Sequence, residues 1–370
     1  MKPKGNITRC VGLLSLLIAN LSISAQASVM LTVSKGFGMS LYASGLGDVK
    51  QMALGDKGTL FVGTGDTGHL MALVDENQDG RVDRRYVLDR HMKRPEALAF
   101  YQGDLYVAED DKILKFLDIE TRLKRPGRPK VVYSGLPPVE KGATRSMAFG
   151  PDGRLYLALG VPCNVCDARA PYGSILAIDP DTGNAEQVAT GVRRVLGMDW
   201  SPDKQELWFG DNSREWMGDN LPADEINRLA NPGEHFGFPY MHGESTREPS
   251  FKQPSQLNIR KPEYELPAHV SPAGVHFYRG ESFPVKFRQQ LFVAEHGSTN
   301  RSSKVGYQVV VLSLDGNRVT ERTTLVSFLD GEFPVARPYA LVTAPDGALY
   351  ISDDLKGNIY RLYYKGLEAE

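Results

Sequence analysis

Short apolar runs, each set off by turn residues, recur along the chain, and no long helical periodicity interrupts them. Six times a turn rich in Gly or Asp leads into a β-rich run built on Leu and an aromatic residue. Asp56-Lys57-Gly58-Thr59-Leu60-Phe61-Val62 is the first and Pro345-Asp346-Gly347-Ala348-Leu349-Tyr350-Ile351 the last. The repeated leucines are Leu60, Leu105, Leu155, Leu207, Leu291 and Leu349, with gaps of 45, 50, 52, 84 and 58 residues. The turn has a physical basis: Pro presets φ at the second turn position, and Gly accepts the positive φ that follows. Alternation after the turn predicts half-buried strands. Most copies are followed by a second strand-like run, as at 68–73, 112–116, 174–178, 308–312 and 358–363.

Multi-stranded repeats of this period are the signature of a radial array of small sheets. Six copies predict an all-β, six-bladed β-propeller of ~57 residues per blade, as one domain over residues 28–370. A β-sandwich or a pair of smaller β domains would not give such spacing, and no linker-like segment divides the chain. The long fourth gap, residues 208–290, is read as a blade plus an extended loop that contains the Pro-rich stretch 249–267.

The first residues follow another pattern. Lys2, Lys4 and Arg9 precede an apolar stretch from Val11 to Ile23, and Ala25-Gln26-Ala27 fits a cleavage site. Residues 1–27 are therefore read as a secretory signal peptide, which places the mature chain in the periplasm or outside the cell. The stretch is too short to span a bilayer, and no other run is apolar enough.

Composition narrows the partners. Removing the leader takes the net charge from −2 to −5. No basic block stands out, which argues against nucleic acid; the five cations within 122–130 read as a solvated loop. Cys163 and Cys166 remain after Cys10 leaves. Two cysteines do not complete a four-cysteine zinc site, and in an oxidising compartment a local disulfide is expected, with a redox-active pair as the alternative.

Four stretches carry candidate chemistry. Asp75, Asn77, Asp79 and Asp83 form a D-x-N-x-D-G-x-x-D loop, with Gly80 at the sharp turn. Alternating oxygens of this kind wrap a hard cation such as Ca²⁺; an acidic hairpin turn is the other reading. Arg193-Arg194 sits in an apolar context, suited to an anionic ligand or to a surface salt bridge. Residues 207–227 combine many polar groups with Trp208, Phe209 and Trp216, as a lined pocket does. His296, in Glu295-His296-Gly297-Ser298, is either a base or a structural histidine.

Together these segments resemble the soluble quinoprotein sugar dehydrogenases, the glucose/sorbosone dehydrogenase family, and within it the sorbosone-dehydrogenase-like branch. The likeness runs from about Gly36 to Tyr364. It rests on Phe149-Gly150-Pro151-Asp152-Gly153 with Cys163-Asn164-Val165-Cys166, on Asp211-Asn212 through Asn227, on Gly237-Phe238-Pro239-Tyr240, on Ala294-Glu295-His296-Gly297-Ser298 and on Arg337-Pro338. The resemblance implies a six-bladed propeller that holds pyrroloquinoline quinone (PQQ) and Ca²⁺ at the top of its axis. It implies oxidation of a sugar C1 hydroxyl or aldehyde, with an external electron acceptor. By position it assigns Arg193 and Arg337 to PQQ, places Asn300 or Arg301 near another cationic contact, and puts Ser213 and Arg214 where backbone carbonyls hold Ca²⁺.

Departures stand beside this match. Gly142 occupies the place of the family's catalytic His in Glu140-Lys141-Gly142-Ala143-Thr144-Arg145, and Gly offers no side-chain proton acceptor. Arg194 replaces an Asn, and Thr299 a frequent Trp. A dehydrogenase with a substitute base (Glu140, His296 or a Ca²⁺-polarised water) is therefore the first reading. A degenerate propeller that binds a sugar, PQQ or a protein is the second, and a Ca²⁺-dependent lactonase-type hydrolase the third.

Overall fold

Each repeated leucine starts or nearly starts the second strand of a four-stranded antiparallel sheet, and all six are fully buried. In a computed structural model that describes Met1 and residues 31–138 and 144–366, six such sheets form the blades of a β-propeller. Leader residues 2–27, together with Glu140 and Gly142, lie outside the described residues.

The inner strands of the blades are Val49–Leu54, Ala97–Tyr101, Arg145–Phe149, Met198–Trp200, Pro272–Phe277 and Pro338–Thr343. They pack against one another around a central axis. The packing is close: a Cβ at Gly197 would run into the Ala273 carbonyl of the next blade. Six apolar clusters hold the array together, one at each contact between adjacent blades. Phe61 and Leu105 share one, and Trp208 and Val293 another. This follows from the alternating pattern: neither face of a blade is left to water, so each sheet buries both faces against its two neighbours.

The ring closes with strands from both ends of the described chain. Phe37–Ala43 forms the outer strand of the sixth blade, paired antiparallel with Asn358–Tyr364. Just before it, Thr32–Val33 adds to the outer edge of the fifth blade through Val326 and Ser327. The long fourth gap resolves as expected into a blade and an insertion. Asp224–Leu229 and Tyr264–Leu266 are the third and fourth strands, and residues 230–263 between them form the insertion. Within it, Met241–His242 pairs with Thr246–Arg247, and Glu234–His235 adds in parallel to Ala185–Thr190 of the third blade.

All six inner strands begin at the same end of the axis. The segments just before them, and those just after the second strands, therefore converge on one mouth. Among the described residues no helix is long and apolar enough to cross a membrane.

Candidate functional site

A cavity of ≈ 300 Å³ opens at this mouth. Every blade contributes to its wall: Lys50 from the first, Glu96 from the second, Thr144 at the start of the third, Arg194 and Asn212 from the fourth, His296 from the fifth and Tyr339 from the sixth. The far end of the axis is a separate hollow lined by apolar residues such as Met52, Phe100, Phe149 and Leu341 together with Asp199, His276 and Arg279.

Arg193 is a buried part of the wall, and its guanidinium is engaged by the protein's own groups. Nε donates to the Asn164 carbonyl (2.9 Å) and Nη2 to Asn164 Oδ1 (2.9 Å), while Nη1 donates to the carbonyls of Asn212 (2.9 Å) and Ser213 (2.8 Å). Burial lowers its pKa to about 10, which still leaves it charged at neutral pH. Asn164 belongs to the loop closed by the Cys163–Cys166 disulfide, and its Oδ1 also accepts the Glu215 N–H at 2.8 Å. The disulfide loop and the loop after Asp211 are thus pinned to one cation.

Arg194 differs from its neighbour. It lines the cavity, is mostly buried and makes no side-chain ion pair among the described residues, and its Nε has no hydrogen-bond partner. Among the described residues three more buried polar atoms of the same wall have no partner: Thr144 Oγ1 and both amide atoms of Asn212. Such groups cost roughly 1–3 kcal/mol each when left dry. Four of them around one hollow mark the place of a polar ligand or of water.

His296, from the adjacent fifth blade, is a second polar feature. Its Nε2 lies 3.1 Å from both oxygens of Asp354. The same carboxylate receives Lys50 Nζ at 2.5 Å and Arg337 Nε at 2.6 Å. These three partners hold Asp354 far below the usual carboxylate range, against the opposing effect of burial. Burial in turn pushes the pKa of His296 down, with Asp354 opposing. An ionised carboxylate only accepts, so Nε2 carries the proton and Nδ1 the lone pair. Asp224, in the wall from the fourth blade, is pushed up to about 7 by burial and accepts the Ser213 and Ser271 N–H groups at 2.9 and 2.7 Å. Beside it Asp211 and Glu225, paired across two strands, are both raised by burial.

The backbone also concentrates strain here. Arg94, His269 and Ser271 line the cavity with φ of 54°, 66° and 58°, and Trp216, next to the lining residue Glu215, has φ of 67°. Left-handed non-glycine residues cluster where surrounding structure over-determines them, which is common at functional sites.

The other expected site residues are dispersed. Arg337 is absent from the cavity wall and acts through Asp354. Neither Asn300 nor Arg301 lines the cavity: Asn300 donates to Oε2 of the wall residue Glu215 at 3.0 Å, and Arg301 binds the Asp219 carbonyl. The Ser213 carbonyl lines the site but already accepts Arg193 Nη1. Arg214 pairs with Glu248 at 2.6 Å. Asp75, Asn77, Asp79 and Asp83 lie at the end of the first blade away from the mouth. There the carboxylates of Asp75, Asp79 and Asp83 and the Asn77 side-chain oxygen accept the loop's own N–H groups, as in the hairpin reading. Among the described residues no group of three or more His, Cys, Asp or Glu side chains is placed to hold a metal ion. The stretch 207–227 does line the pocket, through Asn212, Ser213, Glu215 and Asp224, but not through its first two aromatics. Trp208 and Phe209 are core residues between blades, and only Trp216 of the three is exposed.

The architecture defines a six-bladed propeller of the kind found in PQQ-dependent sugar dehydrogenases. It superposes on an iodide structure of a Trichoderma reesei carbohydrate-active enzyme of family AA12 with a TM-score of 0.77 at 18% identity, covering 91% of this chain and 98% of that one. The holo form of the pyranose dehydrogenase PQQ domain from Coprinopsis cinerea gives a TM-score of 0.74 at 21% identity, with 91% and 98% covered. At this identity the likeness is one of fold. In sequence, a PQQ-dependent pyranose dehydrogenase of Coprinopsis cinerea is 26% identical over 66% of this chain, a match that spans 36% of that protein's length. The chain belongs to the family described as "Domain of unknown function (DUF7133)", whose model matches residues 24–360. An uncharacterized protein of Borreliella burgdorferi is 32% identical over 94% of this chain and 95% of its own length.

Proposed function

We propose that this protein is a PQQ-dependent dehydrogenase of sugars or sugar aldehydes that works outside the cytoplasm. The observation that carries this reading is the set of unpartnered buried polar atoms on the axial wall: Arg194 Nε, Thr144 Oγ1 and both amide atoms of Asn212. They fit a small planar anionic group, and the cavity volume stands at the low end of the range for small-molecule sites. Arg194, Asn212, Thr144 and Lys50 would hold the quinone, which when bound supplies the hydride acceptor.

The chain's own groups handle the proton. His296 is neutral at neutral pH, with its lone pair at Nδ1 free of any hydrogen bond among the described residues. It can take the hydroxyl proton of a substrate, and Asp354 stabilises the imidazolium that results. This gives the chain a base at a position other than Gly142. Arg193 holds the two loops that carry Asn212 and Ser213 in place. The disulfide, formed between neighbouring residues of an axial loop, agrees with an oxidising compartment.

The test is a PQQ titration with and without Ca²⁺, followed by absorbance and thermal shift, and then an aldose and aldehyde panel with an artificial electron acceptor. Binding raises the melting temperature by mass action. Dye reduction by no sugar or aldehyde would overturn the dehydrogenase reading. Gly142 supports the second reading, a propeller that binds without turnover. Activity that appears only in Gly142→His would decide for it.

A further inference from the structure

We propose that Trp216 is a stacking platform for the pyranose ring of a sugar at the rim of the axial cavity. This rests on the proposed function only in naming the sugar as the ligand.

Trp216 is an exception among the three tryptophans of the chain. Trp208 is buried at a blade contact and Trp200 is packed edge-on against Tyr156, whereas Trp216 is 72% exposed. Among the described residues its ring joins no aromatic pair and its Nε1–H finds no acceptor, so both the apolar face and the donor are free. An indole joins a large apolar face to a polar tip, which suits it to a surface that contacts a ligand.

The loop that carries it is fixed, not loose. Glu215, one residue before, lines the cavity, and its N–H is held by Asn164 Oδ1 at 2.8 Å. His269, also in the wall, lies with Nε2 2.8 Å from the Gly218 carbonyl, two residues after. Asp219 Oδ1 accepts the Ser302 N–H at 3.1 Å, and Arg301 binds the Asp219 carbonyl. Between these anchors Trp216 is held at φ +67°, a conformation that a bulky side chain rarely adopts. The surrounding bonds keep an unfavourable backbone in order to present an indole beside a polar hollow.

A sugar ring matches that pairing of surfaces. Its axial C–H face is apolar and lies on an aromatic plane, and its hydroxyl rim needs polar partners. Glu215, Ser298 and Thr299 line the neighbouring wall and offer such partners. The cavity has room for one small ligand, so a second one would sit outside it, next to Glu215 of the wall, the residue before Trp216.

The experiment uses iodide quenching of tryptophan fluorescence, which reports chiefly on Trp216 because the other two indoles are sheltered. Aldoses are added to the protein both without and with PQQ. Protection of the indole by an aldose in the unmodified protein, with an aldose affinity measured by calorimetry that is lost in Trp216→Gly and retained in Trp216→Phe, is the expected result. Glycine suits the left-handed backbone, so the first variant removes the ring without harming the fold. If turnover is present, Trp216→Gly should raise KM roughly three- to tenfold and leave kcat within about twofold. Protection without any dye reduction would uphold the platform and remove the dehydrogenase reading. Turnover with an unchanged KM in Trp216→Gly, or no protection by any aldose, would overturn the platform. Protection that follows self-association and not sugar would overturn it equally.

Discussion

At the scale of single residues, two side chains decide how this site works. Asn164 satisfies the buried Arg193 and the Glu215 amide with one oxygen. Asn164→Ala should cost about 1–3 kcal/mol in urea unfolding, because it leaves buried donors unpaired. The second is Asp354. Its carboxylate raises the pKa of His296, so Asp354→Asn should lower that pKa further, measurable by NMR titration of the imidazole. A base must be deprotonated to act. The acid limb of a pH–rate profile should therefore move to lower pH in this variant, while the plateau falls by about 10²–10⁴. Arg194 and His296 could be picked out from sequence, because one is a cation in an apolar context just before a predicted strand and the other a histidine in a turn after one. Asp354 was overlooked, although it too follows a repeat strand, because an Asp in a turn reads as turn chemistry. Arg193 was visible, but its role was not. Whether a guanidinium faces a ligand or its own backbone depends on where distant loops pack, and local spacing does not encode that.

At the scale of elements, the six second strands were legible because Leu, an aromatic and a preceding turn recur together. The inner strands were not. Ala97–Tyr101 and Met198–Trp200 are short, and their neighbours around the axis are so close that glycine and alanine take the place of large apolar residues. Asp224–Leu229 was not legible as a strand, since Asp, Glu, Asn and Arg give it no apolar rhythm; the fold buries all of them and sets Asp224 in the cavity wall. The insertion 230–263 has its own electrostatic lock. Glu248 meets Arg214 at 2.6 Å, His242 at 3.1 Å and the Ser250 N–H at 3.0 Å, and these partners lower its pKa from 4.5 to about 2. A depressed carboxylate stabilises the fold fully above its unfolded value, and that contribution is lost as pH falls from 4.5 towards 2. Glu248→Gln should destabilise the protein by about 3 kcal/mol at pH 7, because it leaves Arg214 uncompensated. It should also flatten the acid side of a urea-midpoint profile over the same interval.

At the scale of the whole molecule, six equivalent apolar contacts make a ring whose strength depends on closure. A chain cut after Gly357 loses Asn358–Tyr364, which unpairs Phe37–Ala43 and opens the contact between the sixth blade and both neighbours. The loss should approach the full stability of an ordinary domain, about 5–15 kcal/mol, and appear as proteolytic sensitivity and a broadened unfolding transition. The repeat count showed that a ring exists, but the strand that closes it carries no copy of the repeat and was not foreseen. That strand has a consequence during translation. Phe37–Ala43 leaves the ribosome early and finds its permanent partner only when the last strand emerges. Throughout elongation its bare edge is a template for any other copy nearby, and crowding of nascent chains should favour exchanged dimers over monomers.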